Sequence, residues 1–388
     1  LYLIWRNIST GADPLGLLTS QRTLAPLWRT LKLAVTVSLS AAIIGTALAW
    51  LTMRTDIPLR RTWRTVLPLP LVFPTFIGAA AFIRTLNPGG LANGLFNSIG
   101  IQQAPELRGF FGAWFVLTLF TYPYVYLPVA ARLQRLPGSL EESARVLGDS
   151  AIQSFRRIVL PQIAGAVAAG TLLVFLYTIS DFGAVQLMRY DTLTRAIETN
   201  YLAQPAVAFA LSLLLLVLAA AVVSGERMLG RRTIAPATAR STRPVNYRLG
   251  RWKPAAAGFV LLVGALSVGA PMVALIDWAS EGLLRASRNG RPLAISSDKV
   301  VEAARNTLES SVLAALVAVL AVLPIAFLVG RYRSRIGSVS HAIVIATFAL
   351  PGILIALALR FWTLRSGFAG DLLFDSKALL VFAYVVRF

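Results

Sequence analysis

The sequence predicts an all-α polytopic membrane protein, and three observations carry that prediction. Of its 388 residues, 56% are hydrophobic and only 14% charged, where soluble domains carry about 25% charged residues. Apolar runs recur along the chain at about 20 residues each, enough to cross roughly 30 Å of hydrocarbon as a helix. Arginines and helix breakers fill the segments between them. Such long, evenly apolar runs do not suit barrel strands, so the spans are helical.

In chain order, complete spans are predicted at Leu31–Met53, Val66–Arg84, Phe111–Ala131, Ile163–Ser180, Val207–Ser224, Ala255–Ile276, Leu308–Gly330 and His341–Arg360. A ninth run starts at Ala378, and the opening LYLIW reads as the tail of another. The sequence is therefore expected to be cut at both ends.

The formal net charge is +20. Nucleic-acid binders gather basic residues on soluble faces, whereas these arginines sit between apolar runs, as the positive-inside bias requires. Nucleic acid is excluded as a partner, and membrane lipid is implied. Cysteine is absent and there is one histidine, His341, so neither a disulfide framework nor a His/Cys metal centre is available.

Alternate loops differ in charge. Arg54, Arg60, Arg61 and Arg64, then Arg132, Arg135, Arg145, Arg156 and Arg157, then the segment Arg227–Lys253 with seven Arg and one Lys, and finally Arg331, Arg333 and Arg335 form the basic set. That set is assigned to the cytoplasm. The opposite loops balance Arg189 and Arg195 with Asp181, Asp191 and Glu198.

The chain is divided at residues 225–254, a basic stretch rich in breakers that reads as a cytoplasmic linker between residues 1–224 and 255–388. The two parts look like duplicates. TLKLAVTVSLSAAIIGTALAWLTMR from Thr30 aligns without gaps to TLESSVLAALVAVLAVLPIAFLVGR from Thr307, and the same offset brings Pro74 onto Pro351. An even number of spans per unit makes this a parallel repeat.

Between the third and fourth spans stands EESARVLGDSAIQSFRRIVLP, Glu141 to Pro161. Pro137 and Gly138 end the preceding helix. Ser139 and Glu142 stand at capping-box spacing, so a short helix is expected to begin there. Gly148 permits a turn that a Cβ would resist. Ile152, Phe155 and Ile158 or Val159 then form the apolar stripe of a second short helix, with Arg156 and Arg157 facing water. Pro161 suits the first turn of the next span. A stiff polar elbow on the cytoplasmic face results, either a lever for a partner or only a capped linker.

Glu142-Ser143-Ala144, Gly148, and Ile158, Leu160 and Pro161 resemble the EAA loop of permease subunits in ATP-binding-cassette importers; only Ser143 departs from its pattern. The resemblance implies two tandem permease units of about six spans each, of the fused ferric-iron permease type, in a bacterial inner membrane. It implies cytoplasmic ATPase subunits, two in number, that grip the elbow, and a periplasmic substrate-binding protein that delivers the cargo. The repeat offset carries a second elbow beyond Phe388. No nucleotide motif is present, so the chain is expected to be no enzyme and to hold no cofactor, with ATP hydrolysis on another chain.

Asp181, Phe182 and Gly183 open a segment that resembles the ferric-iron permeases and mark a candidate gate or docking loop, or else an ordinary helix end. Tyr122, Tyr124 and Tyr126 are candidate pore-lining residues, although helical spacing sends Tyr122 and Tyr124 to different faces. Pro74 and Pro351 are candidate breaks near a pore or packing kinks. Ferric iron is the expected cargo, with thiamine or a phosphonate as alternatives. The reading of another class is a membrane scaffold or channel without an ATPase.

Overall fold

The computed structural model describes residues 21–98, 100, 106–136, 138, 141, 146–201, 203–230, 246–289, 297–328, 352–367, 370, 373–374 and 376–387. These form helices and their connections, with one isolated parallel bridge between Thr55 and Tyr247. In chain order the helices are α1 (Gln21–Arg54), α2 (Arg60–Val66), α3 (Thr75–Leu86), α4 (Asn93–Ser98), α5 (Gly109–Thr121), α6 (Pro123–Arg135), α7 (Ala151–Ser154) and α8 (Leu160–Ser180). They continue with α9 (Gly183–Leu187), α10 (Leu193–Asn200), α11 (Pro205–Gly230), α12 (Lys253–Gly264), α13 (Ala270–Asn289), α14 (Ser297–Phe327), α15 (Gly352–Arg365) and α16 (Lys377–Arg387).

Among the described residues five helical stretches are long and apolar enough to cross a membrane: Thr23–Arg54, Gly109–Arg135, Phe155–Ser180, Gly250–Glu281 and Asp298–Phe327. These match the first, third, fourth, sixth and seventh predicted spans. The protein is all-α and polytopic, as expected. The second predicted span is not one helix. Arg60–Val72 and Thr75–Leu86 are bent by 101° at their junction. Phe73 there is extended, at φ −84° and ψ 123°, because the ring of Pro74 disfavours helix in the residue before it and supplies no N–H. The eighth predicted span lies largely outside the described residues, which resume with α15.

Two compact units are formed. The larger comprises Trp28–Asp191 with Gly225–Ile276. Its core gathers Leu33, Leu48, Phe82, Leu117, Phe120 and Leu133, all essentially inaccessible. α6 is held at close range on two sides: a Cβ on Gly45 of α1 would stand 2.8 Å from the Tyr122 carbonyl, and one on Gly170 of α8 would stand 2.7 Å from that of Tyr124. Small residues at such crossings let helix backbones touch where hydrocarbon supplies no hydrophobic drive. The smaller unit comprises Leu1–Leu27, Thr192–Ser224 and Asp277–Phe388. Within it Phe361 of α15 meets Tyr201 and Phe209 at 5.6 and 5.5 Å between ring centroids. Lys377 of α16 pairs with Glu309 of α14 at 2.9 Å.

Candidate functional site

The arginine-rich loops of the larger unit converge on one end. There the elbow leaves α6 through Leu136. Glu142, Ser143 and Ala144, its resemblance-bearing start, lie outside the described residues, as do Ser139 and Leu140. Glu141 is described and is 1% exposed. Val146 and Leu147 stand in water at 88% and 87% exposure, and Gly148 follows at φ +96° with nothing within 4 Å of a would-be Cβ. The glycine is thus demanded by backbone conformation and not by lack of room. α7 then opens on a reciprocal cap. The Ser150 N–H donates to Gln153 Oε1 at 2.8 Å, and the Gln153 N–H donates to Ser150 Oγ at 3.4 Å. The Ser-x-x-Gln spacing that signals it was in plain view.

The second short helix is not separate from the following span. α7 continues through a π turn, Phe155–Val159, directly into α8. Pro161 cannot donate an N–H, and the widened turn, in which the Leu160 N–H reaches the Phe155 carbonyl, accommodates the proline without breaking the helix. Pro271 follows the π turn Ala265–Gly269 between α12 and α13 in the same way. Along this stretch Val159 is buried, Phe155 and Ile158 are half-buried, and Arg156, Arg157, Leu160 and Pro161 are exposed. Arg157 pairs with Asp149 at 3.3 Å in solvent, a contact of little energetic weight.

Beneath the elbow lies a buried polar network that no local pattern announces. The guanidinium of Arg54, the last residue of α1, is wholly inaccessible. Its Nη2 donates to the carbonyls of Leu133 and Leu136 at 2.9 and 3.2 Å, so an arginine of one helix caps the C-terminal end of another, α6. Its Nη1 stands 3.1 Å from Glu141 Oε1 as an ion pair. Glu141 Oε2 accepts the hydroxyl of Tyr247 at 2.7 Å. The Tyr247 N–H in turn donates to the Arg54 carbonyl at 2.7 Å. Two carbonyls in the last turn of α1 are thus satisfied, because Arg64 of α2 also donates to the Thr52 carbonyl, at 2.9 and 3.1 Å. An ion pair this deep is costly to assemble, and Arg54 Nε has no hydrogen-bond partner among the described residues. Removing one partner strands a charge at about 3–5 kcal/mol.

At another site in the same unit the candidate gate residues are gathered. Asp181, 7% exposed, accepts the Thr75 hydroxyl on Oδ1 at 2.6 Å and the N–H groups of Ala184 and Val185 on Oδ2 at 2.9 and 3.4 Å. It therefore caps α9 and ties it to the first residue of α3. A Cβ on Gly183 would stand 2.8 Å from that of Phe76, and Phe182 is half-buried. The Pro74 break and the Asp181 loop are thus brought together; Pro351 lies outside the described residues. Arg29 pairs with Asp191 at 3.2 Å, and Lys32 Nζ stands 4.5 Å from the Phe110 ring centroid.

The three tyrosines divide. Tyr122 is fully buried and donates its hydroxyl to the Leu67 carbonyl at 2.8 Å. Tyr126 is buried, with its hydroxyl 3.2 Å from Thr52 Oγ1. Tyr124 is half-buried against Tyr177, 5.6 Å between centroids.

The family described as binding-protein-dependent transport system inner membrane component matches residues 41–234. An Fe(3+)-transport system permease protein of Haemophilus influenzae is 29% identical over 394 residues, covering 100% of this chain and 72% of that one. A probable molybdenum ABC transporter permease protein of Haloferax volcanii is 29% identical over 42% of this chain and 60% of its own. A sulfate transport system permease protein of Salmonella typhimurium is 28% identical over 43% of this chain and 59% of its own.

Proposed function

The chain belongs to the family of binding-protein-dependent transport system inner membrane components, the multi-pass permeases of ABC importers, and from that premise we propose that it moves ferric iron inward, driven by separate ATPase subunits that grip the elbow between α6 and α7. The carrying observation is mechanical. Gly148 turns the chain at φ +96° in solvent, while Glu141 a few residues earlier is anchored to the buried Arg54 at the end of α1. A partner pressing on the exposed turn would therefore push on a rigid root and not on a slack loop. The motif positions Glu142, Ser143, Ala144, Ile158, Leu160 and Pro161 are assigned to this coupling role, with hydrolysis of ATP outside this chain. A periplasmic binding protein hands over the cargo, and Asp181, Phe182 and Gly183 shape the loop that receives it. The two halves, residues 1–224 and 255–388, are duplicated permease units.

Ferric iron is favoured because the similarity to the Fe(3+)-transport permease runs the whole length of this chain, whereas the sulfate and molybdenum permeases match less than half of it. The test is uptake by the full-length protein with its ATPase and binding protein, in a strain lacking the native genes. Labelled ferric iron should accumulate, and sulfate, molybdate, thiamine and a phosphonate should not. Accumulation of one of those instead reassigns the cargo. Failure of any ATPase to co-purify returns the elbow to the role of a capped linker in a scaffold or channel.

A further inference from the structure

The far end of the basic linker, residues 246–253, is built into the root of the elbow. Asn246 accepts from Arg60 Nη1 at 3.5 Å. Tyr247 forms the bridge to Thr55 and donates to Glu141, and its ring lies 5.8 Å from that of Trp50 in α1. Its hydroxyl is also 3.4 Å from Ser154 Oγ, in α7 beyond the turn. The Leu249 N–H donates to Asp56 Oδ1 at 2.9 Å, and Lys253, the first residue of α12, donates to Asp56 Oδ2 at 3.2 Å. One short segment thus touches both arms of the elbow, the end of α1 and the start of α12. It lies outside residues 41–234, the part that matches the family.

We infer that residues 246–253 are a transmission strap, with Tyr247 the positioning residue that holds Glu141 so that displacement of the elbow is passed together to α1 and α12. Three physical arguments support it. Tyr247 is 5% exposed, so its phenol hydroxyl occupies a desolvated site where a hydrogen bond to a carboxylate is strong and its loss costly. Glu141 has its two oxygens divided between Arg54 and Tyr247, which fixes its rotamer as one partner could not. The strap is also anchored by backbone and side chain alike, at Arg54, Thr55 and Asp56, so it cannot slide along α1 without losing several bonds at once. A linker that merely joined two domains would need none of these contacts.

The inference rests on the coupling role proposed above, and the experiment separates the two. These 388 residues hold no cysteine, so Val146→Cys, in the exposed turn, takes a single spin label on the full-length protein assembled with its ATPase once any cysteine outside them is replaced. Tyr247→Phe keeps the ring against Trp50 and removes only the hydroxyl. The label should become more mobile, and transport per ATP hydrolysed should fall about tenfold, the scale of one hydrogen bond to a charged group, with membrane level unchanged. Glu141→Gln also strands the buried Arg54 charge and should lose more, membrane level included, but Tyr247→Phe added to it should cost nothing further. Unchanged label mobility in Tyr247→Phe, or losses that add in the double variant, overturns the strap. Arg60→Cys with Asn246→Cys, joined by a short bismaleimide, covers the case in which Tyr247→Phe lowers membrane levels. Strap and α2 move as one body, so transport should survive the cross-link, and its loss also overturns the inference. A label that loosens in a protein recruiting no ATPase would uphold the strap and reject the coupling role.

Discussion

Thr75 and Asp181 meet through a 2.6 Å hydrogen bond, the threonine hydroxyl donating to the carboxylate. Each stands beside a break in the membrane helices, Thr75 just after Pro74 and Asp181 at the end of α8. The bond fastens two interruptions to each other. Thr75→Val keeps shape and deletes the donor, and should lower stability by about 1.5–3 kcal/mol, the range for hydrogen bonds to charged groups. Thermal unfolding of the purified protein in detergent measures it, and Asp181→Ala should lose more because the α9 cap goes as well.

Gly148 should tolerate asparagine better than valine. No atom crowds the position, so the penalty is the left-handed backbone alone, roughly 1–2 kcal/mol for an ordinary residue and less for asparagine. Membrane levels of Gly148→Val should stay near wild type while transport per ATP hydrolysed falls. A parallel collapse of protein level would make the turn a folding determinant instead.

Arg54→Met should be among the most damaging single changes in the larger unit. It leaves the Glu141 carboxylate buried and strips the cap from α6, a loss of about 3–5 kcal/mol. Pairing it with Glu141→Leu should recover most of that loss, because the uncompensated charge goes with its partner. Unfolding curves of the two singles and the double test the cycle.

Asp56 gives the root of the elbow an acid limit. The Leu249 N–H, then Lys253, hold its carboxyl below the usual aspartate range. A carboxyl depressed in the folded state adds stability that is complete above its unfolded value of about 3.9 and is lost as pH falls through the lower folded value. The strap should therefore loosen below about pH 4, read as mobility of the Val146 label, and Asp56→Asn should abolish the pH dependence of that change.

Composition and periodicity alone determined that this is a helical membrane protein, where most spans lie, and that an elbow interrupts them near Gly148. Those properties are set by local physics: twenty apolar residues favour a span, and a glycine beside a helix cap favours a turn. The Ser150–Gln153 cap is equally local and legible in its spacing. Only the tertiary structure decided that Pro74 breaks a span by 101° while Pro161 is absorbed by a π turn, because a proline's effect depends on whether neighbouring groups accept the freed carbonyl. Only the tertiary structure could choose Arg54 from among 37 Lys and Arg residues and give it Glu141 and Tyr247. Those three residues are far apart in sequence, and charge patterns that mark a basic loop do not say which of its side chains turns inward. Burial makes that choice, and burial belongs to the assembled helices.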